Sequence, residues 1–294
     1  IGKHLVKFFS DNFDGTIRIL SRSKRSLNGI SFIQGDLSVS NSLNELVKNQ
    51  DLVINLAYIS ENYDANILAI DNLINACISE GVSKFIHCST AVVAGRVNID
   101  TINEDTICMP LNEYEQTKLA IEEYLLDRFK DKVELIIVRP TAVFGEGGLN
   151  LVKLSNSLLS KPWIVNMFLS FVNGKRQMHL VPVEEVVSCI YYLAIINNDL
   201  SGEKFIISQD ASQNNNFFDV INNLALHFDQ KKYPAIFFPF SSFALSILLK
   251  LNGRSQVNPK QVFSSKKIHD YGYKSNIGFN VSLEKFAKSI HIKE

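Results

Sequence analysis

Three side chains in the first half of the chain have the types that a hydride transfer between an alcohol and a carbonyl requires. Tyr114 and Lys118 form a Y-x-x-x-K pair, and Thr90 ends the apolar run that begins at Lys84. A phenol can give or take the hydroxyl proton, a nearby ammonium lowers the pKa of that phenol, and a second hydroxyl can hold the substrate oxygen. On a helix, residues four apart share one face, so Tyr114 and Lys118 can act together. The same spacing is also typical of a solvated helix face, so the surrounding sequence must show whether these residues belong to an active site.

The elements around these residues predict an α/β fold. In the first half, short β-branched runs alternate with helical stretches, which is typical of βαβ units and a parallel sheet. We expect strands at 16–20, 31–34, 52–56, 84–88 and 134–138, and helices at 5–10, 42–48, 65–80 and 112–129. After Gly148 the alternation fades, and we expect helices at 149–160, 183–196, 217–227, 236–251 and 283–290 with one strand at 204–208. The chain is therefore expected to form a nucleotide-binding lobe over 1–148 and a smaller substrate lobe over 149–294, with part of 180–208 returning to the first sheet.

The composition excludes several classes of function. Lys+Arg and Asp+Glu balance at 30 each in 294 residues, so bulk charge recruits neither nucleic acid nor an anionic membrane. The four cysteines and six histidines show no metal-ligand spacing, which indicates reduced thiols, a cytoplasmic protein and no metal site. The apolar stretch 236–249 is interrupted by Pro239 and serines and is too short for a transmembrane helix of about 20 residues.

Six segments follow one another in the order and spacing of a known family. They are Ile1–Val6, Gly35–Leu37, Asp51–Ala57, Lys84–Gly95, Arg139–Gly145 and His179–Val186. Together they resemble the extended short-chain dehydrogenase/reductase family of the NAD-dependent epimerase/dehydratase type, whose members act on nucleotide sugars. The resemblance implies a Rossmann-type doubly wound parallel sheet with a smaller C-terminal substrate lobe.

The resemblance also implies a set of cofactor-binding residues. Gly2 is similar to the third glycine of the family's G-x-x-G-x-x-G loop, where a helix N-terminus supports the pyrophosphate. The first strand and the first two glycines of that motif are not in the sequence, so we expect about ten further residues upstream and poor cofactor binding without them. The other residues that the resemblance assigns to the cofactor are Asp36, Leu37, Leu56, Ala57, Asn66, Lys118, Pro140 and Val143.

The end of the second family strand bears on the choice between NAD and NADP. NAD-binding members carry a carboxylate there for the ribose diol, whereas this chain has Ser21 followed by Arg22. A guanidinium can make paired hydrogen bonds to a 2′-phosphate, and no carboxylate repels it. The sequence therefore favours NADP, with NAD as the alternative; the other explanation of Arg22 is a solvated basic loop.

The expected chemistry holds the substrate oxygen between Tyr114 and Thr90 while hydride passes between the nicotinamide and the substrate carbon. Dehydratases of the family follow the active-site Thr with an Asp-Glu pair, but this chain has Ala91 and Val92, so dehydration is disfavoured. The expected substrate-binding residues are Thr90, Thr141, Arg176 and Arg254, although Met178 stands where UDP-binding members carry an arginine.

Several functions remain open from the sequence. A 4-keto-sugar reductase acting on a nucleotide sugar in polysaccharide biosynthesis ranks first, and a UDP-glucose 4-epimerase-like enzyme ranks second. A reductase of a smaller carbonyl and a non-catalytic NAD(P)-binding sensor follow. By resemblance, the helices at 65–80 and 112–129 are the expected surface of a homodimer.

Overall fold

The structure is a computed structural model that describes residues 1–23, 26, 29–60, 62–235, 258 and 260–291. The chain forms two compact units. The first contains Ile1–Val93, Pro110–Arg139 and Val187–Phe205, and the second contains Ala94–Met109, Pro140–Val186 and Ile206–Glu294. The lobe boundary expected after Gly148 stays a prediction.

The helices and strands of both units follow in chain order. They are α1 (Gly2–Asn12), β1 (Ile17–Ser21), β2 (Ile30–Gln34), α2 (Ser40–Val47), β3 (Leu52–Asn55), α3 (Tyr63–Ser79), β4 (Lys84–Cys88), β5 (Thr101–Ile102), α4 (Glu113–Phe129), β6 (Glu134–Pro140), β7 (Ala142–Phe144), α5 (Val152–Ser160), α6 (Trp163–Asn173), β8 (Leu180–Pro182), α7 (Val183–Ile195), β9 (Glu203–Ile207), α8 (Phe217–His227), β10 (Val262–Phe263), α9 (Lys266–Asp270) and α10 (Phe279–His291).

The strands of the first half form parallel sheets. A four-stranded sheet has the order β3-β4-β6-β9, with Leu52 opposite Lys84 and Lys84 opposite Glu134. Strands β1 and β2 form a separate parallel pair, so the strands expected in one sheet of the first half lie in two. The predicted alternation of strands and helices, and with it the α/β fold class, is confirmed.

The core of the first unit lies between α2, α3, α4 and one face of its strands. Leu43, Ile74, Phe85, Leu125 and Phe129 are each at most 1% exposed and belong to one apolar cluster. Ile121, Leu125 and Phe129 recur at four-residue spacing, which gives α4 one apolar stripe. Burying that stripe fixes the rotation of α4 about its axis and therefore the direction of its other side chains.

The second unit has its own core around α8 and α10. Phe144, Leu180, Ile221, Leu224 and Phe286 are almost fully buried in a second apolar cluster. The strands of this unit are two or three residues long and form parallel pairs, β7 with β8 and β10 with β5. The sequence did not predict these strands because they are too short to show a two-residue period.

The apolar segment 236–251, which was predicted to be a helix, lies outside the described residues. The helices of the described chain include none that combines the length and the apolar character needed to cross a membrane.

Candidate active site

The end of β4 and the start of α4 bring the predicted hydroxyl and phenol together. Strand β4 ends at Cys88, and the backbone turns so that Thr90 follows two residues later. Helix α4 begins at Glu113, because the Asn112 side chain accepts a hydrogen bond from the Glu115 N–H at 2.9 Å. Tyr114 therefore lies in the first helical turn, where its side chain hydrogen-bonds with that of Thr90. Tyr114 is 39% exposed, so its side chain is only partly enclosed by the protein.

Lys118 lies one turn further along α4 and is buried. Its Nζ donates a hydrogen bond to the Cys88 carbonyl oxygen at 3.1 Å and lies 5.0 Å from the centre of the Tyr58 ring. The Tyr58 ring in turn meets the Tyr114 ring edge-on, with centroids 5.0 Å apart. The sequence analysis did not select Tyr58, although it directly follows the Asn-Leu-Ala motif at the end of β3. The Tyr58 ring thus contacts both the Tyr114 ring and the Lys118 ammonium.

The pKa of Tyr114 differs from the sequence-based expectation. We expected Lys118 to lower it, but burial raises the pKa of the Tyr114 phenol above its usual value, and the hydrogen bond from Thr90 offsets this in part. The physical reason is that the Lys118 ammonium is directed at the Cys88 carbonyl and the Tyr58 ring. Burial also lowers the pKa of Lys118, against the opposing effects of Cys88 and Glu122. The phenol therefore keeps its proton at neutral pH.

A buried polar pair supports the strand ends below these residues. Asn55 accepts a hydrogen bond from the Ala57 N–H at 3.0 Å and donates one to Nδ1 of His87 at 3.2 Å. His87 is fully buried, and desolvation followed by the charge of Lys118 holds its pKa well below the usual range. A neutral imidazole thus lies near the Lys118 ammonium, and the Asn55 amide fixes the turn that leads from β3 to Tyr58.

Several predicted cofactor residues converge in the first unit. A Cβ atom placed on Gly2, the first residue of α1, would lie 3.8 Å from Leu56, so the start of that helix adjoins the end of β3. Leu37, Ala57 and Asn66 line one small cavity beside Tyr58. The first turn of α1 contains no acidic side chain, so the positive end of its dipole is not neutralised there. These residues fit a dinucleotide that lies across the carboxyl ends of the strands.

Two charged side chains bear on the choice between NAD and NADP, and they have opposite signs: Arg22 is positive and Asp36 is negative. Ser21 ends β1, and its hydroxyl donates to the Ser23 carbonyl at 2.8 Å. The Asp36 carboxylate accepts hydrogen bonds from the N–H and the hydroxyl of Ser38, which lower the pKa of Asp36; Arg22 lowers it further. A 2′-phosphate near Arg22 would therefore be attracted by the guanidinium and repelled by the neighbouring carboxylate.

Asn66 has a more definite position than the sequence indicated. Its Oδ1 accepts from the Ile59 N–H at 2.9 Å, and its Nδ2 donates to the carbonyls of Ile59 and Asn62 at 2.6 and 2.7 Å. Both donors of the amide are thus engaged by the loop after β3. The structure gives Asn66 the role of holding this loop, and with it Tyr58, in place.

The remaining predicted residues that the structure describes lie in the second unit. Thr141 is buried, and its N–H and hydroxyl both donate to the Ile207 carbonyl, at 3.0 and 3.5 Å. Pro140 ends β6, Val143 lies within β7, and Arg176 is half-buried between α6 and β8. Arg254 lies outside the described residues. Within the described ranges no group of three or more His, Cys, Asp or Glu side chains could hold a metal ion.

Comparison with known proteins assigns this chain to a family. Residues 1–208 match the family described as NAD dependent epimerase/dehydratase. A UDP-glucose 4-epimerase of Vibrio cholerae is 26% identical over 279 residues, which cover 87% of this chain and 80% of the relative.

Among the solved structures that share the fold are two 4-epimerases. The UDP-glucuronic acid 4-epimerase of Bacillus cereus, in complex with UDP-glucuronic acid and NAD, has a TM-score of 0.76 and 19% identity over 100% of this chain and 96% of that one. A UDP-glucose 4-epimerase has a TM-score of 0.74 and 20% identity over 100% and 94%. The chain therefore belongs to the NAD-dependent epimerase/dehydratase family and is an enzyme of the extended short-chain dehydrogenase/reductase type.

Proposed function

We propose that the protein is a nucleotide-sugar 4-epimerase that uses NAD and acts on a UDP-linked hexose or hexuronic acid. The observation that carries the proposal is the hydrogen-bonded Thr90–Tyr114 pair beside the buried Lys118, in a chain related over most of its length to a UDP-glucose 4-epimerase. Sequence reasoning alone ranked a 4-keto-sugar reductase first. The relatives support the epimerase alternative better, because those named above are 4-epimerases.

The residues of this chain supply proton transfer and orientation. Tyr114 first has to lose its phenol proton to solvent; its oxygen would then take the proton of the sugar hydroxyl when hydride leaves the sugar and give it back when hydride returns, while Thr90 holds the same sugar oxygen. Lys118 would provide a positive charge that favours the deprotonated form of Tyr114, and it would contact the ribose of bound NAD. NAD, when bound, supplies the acceptor and donor of hydride. Gly2, Asp36, Leu37, Leu56, Ala57, Pro140 and Val143 are the residues that we propose to hold the cofactor, and Asn66 fixes the loop beside it.

The side chains after Thr90 argue against a dehydratase. Removal of water from a sugar needs an acid and a base next to the reacting carbons. Ala91 and Val92 form the first half of a 3₁₀ turn, and neither side chain can transfer a proton. An epimerase needs no further acid or base, since hydride and proton return to the same keto sugar.

Thr141 and Arg176, which lie in the second unit, are proposed substrate contacts besides Thr90. We assign Arg176 to the diphosphate because a guanidinium pairs well with phosphate oxygens and Met178 cannot do so. Arg254 is a second candidate for the same charge. Thr141 already donates its hydroxyl to Ile207, so its proposed contact with the sugar has to use the acceptor side of that oxygen.

The test is interconversion of UDP-sugars by the full-length protein. UDP-glucose and UDP-glucuronic acid are supplied separately, and the 4-epimers are separated by chromatography, while nucleotide released on denaturation is identified by mass spectrometry. We expect epimers to form without net consumption of NAD. Net oxidation of NADH or NADPH with a 4-keto sugar, without epimerisation, would establish the reductase instead. Comparing NADH with NADPH also decides the role of Arg22.

The mechanism is tested with matched tyrosine variants. Tyr114→Phe removes the phenol proton and is expected to lower kcat by a factor of about 10² to 10⁴ while NAD still binds. Tyr63→Phe is the control, because Tyr63 is also half-exposed in the first turn of a helix, α3. Full turnover by Tyr114→Phe would disprove the assigned chemistry. Absence of turnover in the unaltered protein despite NAD binding would favour the sensor.

A further inference from the structure

A buried ion pair lies on the same face of α4 as the catalytic candidates. Tyr114, Lys118 and Glu122 follow one another at four-residue spacing. Glu122 has no exposed surface and accepts hydrogen bonds from Nε of Arg139 at 3.0 and 3.2 Å and from its Nη2 at 2.5 Å. Arg139 is itself 3% exposed, in β6. Both charges are thus withdrawn from water and directed at each other.

Stability alone gives a weak reason for such a pair. Two charges lose their hydration on burial, and a well-packed apolar pair of similar volume is often equally or more stable. The neighbouring core of α4 is apolar, with Ile121 and Leu125 both buried, so the local packing offers no need for charge. The position of Glu122, one turn after Lys118, suggests a different use.

The groups that face Lys118 identify its counter-charge. From β4 come the neutral His87 and Cys88, whose thiol stays protonated because burial raises its pKa. From the loop after β3 comes the uncharged Tyr58 ring. From α4 itself come Tyr114, whose phenol keeps its proton, and Glu122; Arg139 on β6 is bound to Glu122. Among these groups Glu122 is the anion.

We propose that Glu122 is a positioning residue that keeps the Lys118 ammonium charged and in place beside the active-site tyrosine, with Arg139 orienting the Glu122 carboxylate. The proposal rests on the proposed catalytic use of Lys118. Burial disfavours the charged form of Lys118, and Cys88 and then Glu122 act in the opposite direction; the Cys88 thiol does so only once it has lost its proton, which burial opposes. Without the carboxylate, Lys118 would lose its proton at lower pH, and with it the positive charge that the reaction uses.

The test measures the titration of Lys118 without any substrate. In protein labelled with ¹³C and ¹⁵N at lysine, the Cε and Nζ signals of Lys118 are identified from their absence in Lys118→Met and followed with pH. Glu122→Leu combined with Arg139→Met removes both charges and keeps an apolar core. Glu122→Gln and Glu122→Asp provide two further variants, of which the second retains a carboxylate.

We expect the pKa of Lys118 to fall by about one unit in Glu122→Gln, which removes the carboxylate and keeps the Arg139 charge, and by less in the double variant, which removes both charges, and in Glu122→Asp. The alkaline limb of the kcat profile should move to lower pH by the same amount. Glu134→Gln is the control, because Glu134 pairs with Lys84 at 3.4 Å elsewhere in the same sheet. It should leave the titration of Lys118 unchanged.

An unchanged Lys118 titration in any folded variant that lacks the carboxylate would overturn the proposal and leave the ion pair a structural role. This outcome is independent of the proposed epimerase activity. If the protein turned over another substrate, or none, the NMR titration would still decide whether Glu122 sets the charge of Lys118.

Discussion

The hydrogen bonds of Asn66 allow a quantitative prediction about the loop after β3. Asn66 is 4% exposed and makes three hydrogen bonds to the backbone of Ile59 and Asn62. Each contributes about 1 kcal/mol net, so Asn66→Ala removes about 3 kcal/mol. Water can reach part of the freed loop, which reduces the loss in unfolding free energy to about 2 kcal/mol. Because the loop carries Tyr58, NAD affinity should fall as well.

A second substitution at the same position tests the orientation of the amide. In Asn66→Asp, a carboxylate oxygen replaces the Nδ2 donor opposite the carbonyls of Ile59 and Asn62, which lie 2.6 and 2.7 Å from Nδ2. Ionised aspartate cannot donate, so this variant should be less stable than Asn66→Ala. The control is Asn75→Ala, which removes an exposed amide of the same helix that bonds the side chains of Asp71 and Arg128 and not the loop after β3.

The assays are urea unfolding for stability and calorimetric titration with NAD for affinity. A loss below about 0.5 kcal/mol in Asn66→Ala would show that the amide does not hold the loop. Equal stability of Asn66→Asp and Asn66→Ala would refute the assigned direction of the hydrogen bonds. An unchanged NAD affinity in a destabilised variant would show that the loop does not contribute to cofactor binding.

Three further predictions concern stability and thiol reactivity. Because burial holds the pKa of His87 well below 6.5, the unfolded chain binds a proton that the folded one does not as pH falls below 6.5. The unfolding free energy of the unaltered protein should therefore fall on acidification more steeply than that of His87→Gln, by up to about 1.4 kcal/mol per pH unit. Denaturant titrations of both proteins at several pH values measure this difference. Gly35→Ala places a Cβ 2.3 Å from that of Ser42 and should destabilise by about 1–3 kcal/mol; adding Ser42→Gly should restore part of the loss in urea unfolding. The buried Cys77 thiol, whose pKa burial raises to about 12, should react with a disulfide reagent only on unfolding, whereas the half-buried Cys108 reacts sooner.

The local pattern of apolar and polar residues was sufficient to predict most helices and strands of the first unit. The strand 84–88 has the bounds that the sequence predicted, and the helix predicted to start at 112 begins at Glu113 with Asn112 as its cap. Both are long or strongly apolar, and a two- or four-residue period is visible in such segments. The short strands β7 and β8 were not predicted, because their pairing depends on residues almost forty positions apart in the chain.

The sequence by itself determined the residue types of the candidate site and their family order. Thr90, Tyr114 and Lys118 were predicted from chemistry and spacing, and the family comparison confirmed the class of enzyme.

Only the tertiary structure decided what surrounds these residues. The Cys88 carbonyl that binds Lys118, the Tyr58 ring beneath Tyr114 and the Arg139 partner of Glu122 come from other strands and loops. The direction of the Tyr114 pKa shift follows from the same packing, because desolvation depends on which neighbours exclude water. Spacing along one helix fixes which side chains share a face, but burial and charge are set by the elements that pack against it.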